Sequence, residues 1–373
     1  MPIFRHPRRL VCVFLLLLSV QLACNLPVQS VNPTGETAVI DDLYSRTSPE
    51  QWASWIRKLS GAEPVQIGGE TTTITTRYSY AMFTGQDNAR AFDFILEQVQ
   101  GWVRPDQIEI DPYPYTDAEH TYTWKNIIVT FPGTTHADEV VILSAHFDSI
   151  VVREGDALQA APGANDNGTG VATALEAVRL FSSYQFERTV KVIFFSGEEL
   201  GLQGSRAYVE DHPTGNIVAV VNLDMFGYDS NGDRCIELHV GTLPGSESIG
   251  EAFLQVNQEY GLNLSFDFLT TQATDRSDHA SFWAKGVPAI LVIENFFDDQ
   301  QPGGCQGVDP NPNYHRPGDT LDNNVNLSTA YDVARGGLGT VARLAGPVRV
   351  ERSLQDTWGP LREWLSGLFN PQP

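Results

Sequence analysis

The chain has 373 residues, of which 42% are hydrophobic and 19% are charged, a composition that is ordinary for a globular protein. Its 46 acidic and 24 basic residues give a net charge of −22, which argues against a nucleic-acid surface because phosphate contacts need a basic patch. The length allows about two domains, but one α/β catalytic domain often takes most of such a chain, and we expect one domain with short flanking segments.

The first residues, 1–24, are typical of an export signal, because a basic start precedes an apolar run at 10–20 that is too short to span a membrane comfortably. The signal ends in Leu-Ala-Cys, which resembles a bacterial lipobox. Cys24 would then be lipidated and anchor the chain to a membrane; a simple secreted form is the alternative. We expect a tether over 25–40 and an exported protein, extracellular or at the cell surface.

Cys235 and Cys305 remain once the signal, with Cys12, is removed and Cys24 is set aside for lipidation. An exported protein favours a disulfide between them, and two separate thiols are the alternative. A thiol nucleophile is not expected, because no catalytic constellation is centred on either cysteine.

The chain before residue 135 predicts two helices and two strands. Ser48 before Pro49 is typical of a helix start, with the serine as N-cap, and a second helix is predicted over 86–103. Strands predicted over 107–110 and 124–131 are expected to join the antiparallel side of a sheet.

Four short β-branched runs follow, and they are predicted to be buried strands because they lack a helical period. They lie at 140–145, 190–195, 218–223 and 289–294. A polar loop at 163–170 and a helical pattern at 171–181 separate the first two, which makes a strand-helix-strand unit. Further strands are predicted at 236–240 and 264–269, and further helices at 247–260, 280–285 and 327–344. The expected fold is α/β, with a mixed, mostly parallel central sheet flanked by helices in three layers.

Acidic and histidine side chains follow the buried strands or lie in the loops between them. In chain order they are His146, Asp148, Asp166, Glu198, Glu199, Asp224 and His315. Ligand-binding residues in open α/β sheets gather beyond the carboxyl ends of the strands. We therefore expect these side chains to meet in space although they are remote in sequence.

Five of these residues are candidate metal ligands: His146, Asp166, Glu199, Asp224 and His315. A single zinc in a hydrolase takes about three protein ligands and keeps a position open, so five ligands favour two metals that share one carboxylate. Asp166, on its flexible loop, is the expected bridge, with His146 and Asp224 on one ion and Glu199 and His315 on the other. Two Zn²⁺ ions are the expected cofactors, although cobalt or manganese could occupy such a site.

Two further carboxylates are candidate catalytic residues. Glu198 and Glu199 are neighbours whose side chains point in different directions, so only one should bind a metal, and the other can act as general base. Asp148 is placed to accept the free ring N–H of His146 and to fix its tautomer.

Six motifs together resemble peptidase family M28, the co-catalytic zinc aminopeptidases, across roughly 121–345. They are His146-x-Asp148, 163–170, 197–205, 222–225, 277–279 and 315–320. The resemblance implies a zinc exopeptidase-like fold over 41–350, peptide substrates with a free N-terminus and a dinuclear zinc site. It also implies that Glu198 is the base and Glu199 a ligand.

Three alternatives remain open. A glutaminyl cyclase shares the fold and uses a single zinc. A carboxypeptidase or dipeptidase of the same fold would need a cation for the terminal carboxylate, and Arg276 or Arg316 could serve. A non-catalytic binding module on the same scaffold would have lost at least one ligand.

Three segments have no assigned chemistry. Ser277 and Asp278 either cap the helix that follows them or take part in the active site. The loop at 296–314 is expected to line the substrate mouth, because loops of this length in a compact domain are usually functional or mobile. The tail at 351–373 is more typical of a segment docked on the body than of a membrane-surface helix, since it lacks a strongly basic face.

Overall fold

The structure is a computed structural model that describes residues 35–80, 87–297, 304–305 and 307–348. The predicted export signal and lipidation site at 1–24 and the predicted tail at 351–373 lie outside these residues. Among the described residues, none of the helices has both the length and the apolar composition that crossing a membrane requires.

The helices of the described residues begin inside the predicted tether. In chain order they are α1 (Glu36–Ser45), α2 (Pro49–Leu59), α3 (Asp87–Gln100), α4 (Gly168–Phe181), α5 (Gln203–Asp211), α6 (Ser246–Glu259), α7 (His279–Ala284), α8 (Leu321–Asn324) and α9 (Leu327–Ala345). Helix α1 buries Ile40 and Leu43 in the main core. Helix α1 therefore spans the predicted domain boundary at 41, with one of these buried side chains on each side of it.

The central element is an eight-stranded sheet with the order β10-β9-β11-β8-β5-β7-β4-β3. The strands of the structure are β1 (Val65–Ile67), β2 (Glu70–Thr72), β3 (Ile108–Thr116), β4 (Thr121–Phe131), β5 (His136–His146), β6 (Gln185–Phe186), β7 (Arg188–Phe195), β8 (Ile217–Leu223), β9 (Cys235–His239), β10 (Ser265–Leu269), β11 (Ala289–Glu294) and β12 (Pro347–Val348). Strand β5 pairs in parallel with both β7 and β8, whereas β3 and β4 are antiparallel. The predicted mixed, mostly parallel sheet is confirmed.

Helices cover both faces of this sheet, which confirms the three layers. Successive side chains of a strand point to opposite faces. Accordingly, Val141 of β5 packs in the core under α1 to α4, α6 and α9, while its neighbour Ile142 packs in a second core with Tyr208 of α5 and Phe282 of α7. The buried strands are apolar on both faces for this reason.

Strand β3 is longer than predicted. The sequence prediction ends at Ile110, ahead of Pro112 and Pro114, and proline cannot donate to a ladder. The structure continues the strand to Thr116 in register with β4. Since β3 is the edge strand of the sheet, its prolines are tolerated there.

The predicted start of α2 is confirmed, because the Ser48 side chain accepts a hydrogen bond from the Gln51 N–H at 3.0 Å. Cys235 and Cys305 form a disulfide with their Cα atoms 5.8 Å apart. Of the two alternatives left open by the sequence, the structure therefore has the disulfide, which ties the start of β9 to the loop after β11.

Gly170 in the first turn of α4 is a position where the fold needs glycine for close packing. A Cβ there would lie 2.4 Å from Asn167 Oδ1 and 2.7 Å from the Leu223 carbonyl oxygen, at the end of the strand that carries Asp224. We expect Gly170→Ala to destabilise the protein by about 1–3 kcal/mol, as overpacking typically does.

The measurement is the urea unfolding midpoint of the full chain. Gly215→Ala is the matched control, because a Cβ on Gly215 would meet nothing within 4 Å. Equal midpoints for the two variants would contradict this account of the packing.

Candidate metal centre

The candidate ligands all lie at one rim of the sheet. His146 is the last residue of β5, Asp224 follows β8, and Glu199 lies in a single 3-10 turn, Glu198–Leu200, that follows β7. Asp166 precedes α4, and His315 lies in the connection between β11 and α8. The carboxyl ends of the parallel strands therefore bring together residues that are far apart in the chain.

One half of the site is formed by His146, Asp224 and one oxygen of Asp166. His146 Nε2 lies 3.2 Å from Asp224 Oδ1 and 3.4 Å from Asp166 Oδ1. All three side chains are at least nine-tenths buried. A cation placed among these atoms would be shielded from bulk water.

The other half is formed by His315, Glu199 and the second oxygen of Asp166. His315 Nε2 lies 2.9 Å from Glu199 Oε2 and 3.3 Å from Asp166 Oδ2. Asp166 thus stands between two groups, with Oδ1 facing His146 and Oδ2 facing His315. This is the position that the sequence analysis expects of a bridging carboxylate.

The residues present fit a metal ion. His146, Asp166 and Glu199 offer ligand atoms that all lie within 4.8 Å of one another. Glu199 Oε1 is buried and finds no hydrogen-bond partner in the described part of the chain. Imidazole and carboxylate donors suit zinc and related divalent metals.

Charge at the site is poorly balanced by the protein alone. Burial and the charge of Asp166 raise the pKa of Glu199 to about 7. Burial by itself lowers the pKa of a histidine, but hydrogen bonds to Asp166 and Glu199 raise that of His315 to about 10. The carboxylates therefore favour the protonated, positively charged form of the histidine ring. A divalent cation would stabilise the carboxylates in the same way.

Glu198 lines the same cavity as Asp166, Glu199 and Asp224. Burial raises the pKa of the Glu198 carboxyl well above its usual range; the charge of His146 opposes this rise, and that of Asp224 adds to it. A carboxyl group whose pKa is raised toward the working pH is better suited to general acid–base catalysis than one at the usual carboxylate value.

Asp148 lies behind His146, whose Nδ1 is 3.2 Å from the Asp148 backbone carbonyl oxygen, its hydrogen-bond partner, and 3.5 Å from the carboxylate Oδ1. Its carboxylate also accepts hydrogen bonds from the backbone N–H groups of Glu198 and Glu199, at 3.2 and 3.4 Å, and from the Ser79 hydroxyl at 3.0 Å. Asp148 therefore connects the end of β5 to the glutamate turn as well as to the histidine ring.

Apolar side chains form one wall of the cavity. Phe296, Phe297 and Tyr314 lie in the long connection after β11 and line the cavity together with Met225 and Ile293. The described part of this loop thus lines the site, where the sequence analysis expects the substrate mouth.

Comparison with known proteins identifies the family. The model of peptidase family M28 matches residues 126–340, which include every candidate ligand. The chain belongs to peptidase family M28. Leucine aminopeptidase 1 of Sclerotinia sclerotiorum is 32% identical over 291 residues, which cover 74% of this chain and 68% of that protein.

Other matches are partial or show the fold alone. Leucine aminopeptidase 2 of Arthroderma otae is 29% identical over 62% of this chain, which spans only 46% of that protein's length. The LapA aminopeptidase of Legionella pneumophila has a TM-score of 0.62 at 19% identity, covering 89% of this chain and 80% of LapA. A glutaminyl cyclase from an Acidobacteriales bacterium has a TM-score of 0.60 at 19% identity, covering 80% of this chain and 97% of that chain.

Several residues that support this M28 site were missed or left without a role by the sequence analysis. Asp319 accepts from the backbone N–H groups of Asn165 and Asp166, at 2.9 and 3.0 Å, and so holds the bridging loop. Glu294 accepts from Asn165 Nδ2 at 2.7 Å and from Asn311 Nδ2 at 3.0 Å. The sequence shows that Glu294 ends a predicted strand and that Asp319 lies four residues after His315. It does not show which groups these two carboxylates contact.

Arg77 was missed for another reason, because no motif surrounds it. It is fully buried and donates to four carbonyl oxygens, those of Leu59, Phe147, Pro162 and Gly163, at 2.7–2.9 Å. A single arginine in a polar segment has no signal that distinguishes it from a surface residue.

Ser277 and Asp278 do not cap α7 through their side chains. Asp278 occupies the N-cap position without a side-chain cap hydrogen bond. The Ser277 hydroxyl instead donates to Asp224 Oδ2 at 2.6 Å and accepts from Asn222 Nδ2 at 2.7 Å. Of the two interpretations left open, capping is therefore wrong, and Ser277 contacts a candidate ligand.

Asp319→Asn tests the support of the bridging loop. The amide cannot accept from both backbone N–H groups as the carboxylate does, so Asp166 should lose its position, and zinc affinity should fall about 10–100-fold. Competition with a chromophoric chelator measures this affinity. Asp322→Asn, an exposed carboxylate on the neighbouring α8, is the matched control. Unchanged affinity in Asp319→Asn would contradict the role of this carboxylate.

Proposed function

We propose that this protein is a zinc-dependent aminopeptidase that removes the N-terminal residue of peptides. The observation that supports this most directly is the placement of Asp166, whose two oxygens face His146 and His315 at 3.4 and 3.3 Å. A carboxylate in that position fits two ions that share it. Membership of family M28 and the leucine aminopeptidases among its relatives support the reaction class.

His146 and Asp224 would hold one zinc, Glu199 and His315 would hold the other, and Asp166 would bind both. When bound, such ions polarise the scissile carbonyl and make a coordinated water more acidic. The remaining roles fall to side chains of this protein that are not ligands.

Glu198 would be the general base. It would take a proton from the attacking water and then deliver that proton to the nitrogen of the leaving peptide, so that the carboxyl group returns to its starting state. Asp148 would keep His146 in the tautomer that leaves Nε2 free for the metal. Its contacts to the backbone N–H groups of Glu198 and Glu199 would hold the base in place.

The disulfide between Cys235 and Cys305 supports a location of the protein outside the cytoplasm, since disulfides persist in oxidising compartments. Export by a signal at 1–24, with anchoring through lipidated Cys24, remains part of this proposal. Mass spectrometry of the mature N-terminus from the native host would distinguish a lipidated cysteine from a simple secreted form.

Glu198→Gln tests the base. The variant keeps the shape of the side chain but cannot take a proton, so kcat should fall by about 10²–10⁴-fold while zinc binding stays as in the wild type. Hydrolysis of a leucyl peptide and metal content are measured on the same preparations. Glu251→Gln, an exposed glutamate on α6, controls for the loss of one negative charge. Near-normal turnover in Glu198→Gln would remove Glu198 from the mechanism.

Metal content and substrate polarity test the reaction itself. We expect two zinc ions per chain by elemental analysis, loss of activity after chelation, and recovery on adding zinc. Peptides with a free N-terminus should be cleaved, and their N-acetylated forms should not. One zinc per chain together with cyclisation of an N-terminal glutamine peptide would instead indicate glutaminyl cyclase activity, which occurs on the same fold.

A further inference from the structure

Arg276 is an exposed arginine that lines the same cavity as Asp166, Glu198 and Glu199. It lies directly before Ser277, whose hydroxyl is bonded to Asp224 at 2.6 Å. That contact fixes the backbone beside Arg276 at the edge of the site. The arginine is therefore positioned by the same residues that hold a candidate ligand.

The cationic group of Arg276 has no partner in the described part of the chain. Arg316, the other candidate cation for a carboxylate, is ion-paired with Glu154. Arg153 lines a separate, larger cavity of about 600 Å³ beside the site. The guanidinium of Arg276 is thus available to bind a ligand at this cavity.

The free space of the cavity is about 30 Å³, which is room for about one water-sized group. A substrate side chain therefore cannot enter this cavity, and a carboxylate near the scissile bond would meet Arg276 at its exposed edge. A guanidinium matches a carboxylate with two parallel hydrogen bonds and would repel the substrate's own ammonium group.

We propose that Arg276 binds a carboxylate of the peptide close to the scissile bond. This proposal rests on the proposed aminopeptidase function and adds a substrate class to it, namely short acidic peptides. The carboxylate has two possible sources at that distance. One is the side chain of an N-terminal Asp or Glu, and the other is the C-terminus of a dipeptide.

Two pairs of substrates separate these sources on the zinc-loaded full chain. Comparing Glu-Gly-amide with Gln-Gly-amide reports the side-chain carboxylate, and comparing Leu-Gly with Leu-Gly-amide reports the C-terminus. In each pair the measured quantity is the ratio of kcat/KM for the charged peptide to that for the neutral one. We expect one of the two ratios to be about ten in the wild type, since a charge-assisted hydrogen bond has about that effect.

Arg276→Gln should bring that ratio close to one, and Arg276→Lys should keep part of it. Arg153→Gln is the matched control for a lost positive charge near the site, and it should leave the ratio as in the wild type. Ratios near one in the wild type, a ratio that survives Arg276→Gln, or an equal loss in Arg153→Gln would each overturn the proposal.

Failure of the underlying function has a different signature. Cleavage of acetyl-Leu-Gly at least as fast as Leu-Gly would refute the aminopeptidase and favour a carboxypeptidase, whatever the ratios within the two pairs. A structural role for Arg276 would lower the kcat/KM of charged and neutral peptides alike. Only carboxylate recognition changes the ratio within a pair.

Discussion

Repulsion among carboxylates that share one buried rim is the constraint on which the rest of this structure depends. Asp148, Asp166 and Asp224 are each more than nine-tenths buried, and Glu198 and Glu199 adjoin them. In a medium of low polarity such a group is unstable unless cations or hydrogen-bond donors compensate it. The sheet brings these side chains together, and the surrounding loops supply hydrogen-bond donors to some of them.

Much of that compensation comes from the backbone. Asp148 accepts from the N–H groups of the glutamate turn, and Asp319 accepts from those of the loop that carries Asp166. Each of these carboxylates stabilises its own charge and at the same time fixes the loop that carries a ligand. The same hydrogen bonds consequently set both the electrostatics and the geometry of the site. Residues that cannot touch a metal therefore still determine where the ligands lie.

The buried strands and the five candidate ligands could be predicted because both depend on local pattern. An apolar run such as that of β11 predicts a buried strand in any fold, and the carboxyl ends of parallel strands lie at the same edge of the sheet. Strand β3 was predicted too short, and its extension through two prolines depends on its place at the edge of the sheet. Arg77 and the partners of Glu294 could not be predicted, since they are defined by carbonyl and amide groups that only tertiary structure brings near.

Arg77 has a consequence for how small the working unit can be. The family match begins at residue 126, yet this buried guanidinium lies well upstream of it and joins the end of α2 to the turn that precedes Asp166. Burial lowers its pKa to about 10, still high enough to keep it charged at neutral pH, so its removal would leave four carbonyl groups without their donor. A fragment trimmed to the residues that the family model matches would lack this arginine, so we expect a stable working unit to begin upstream of residue 77.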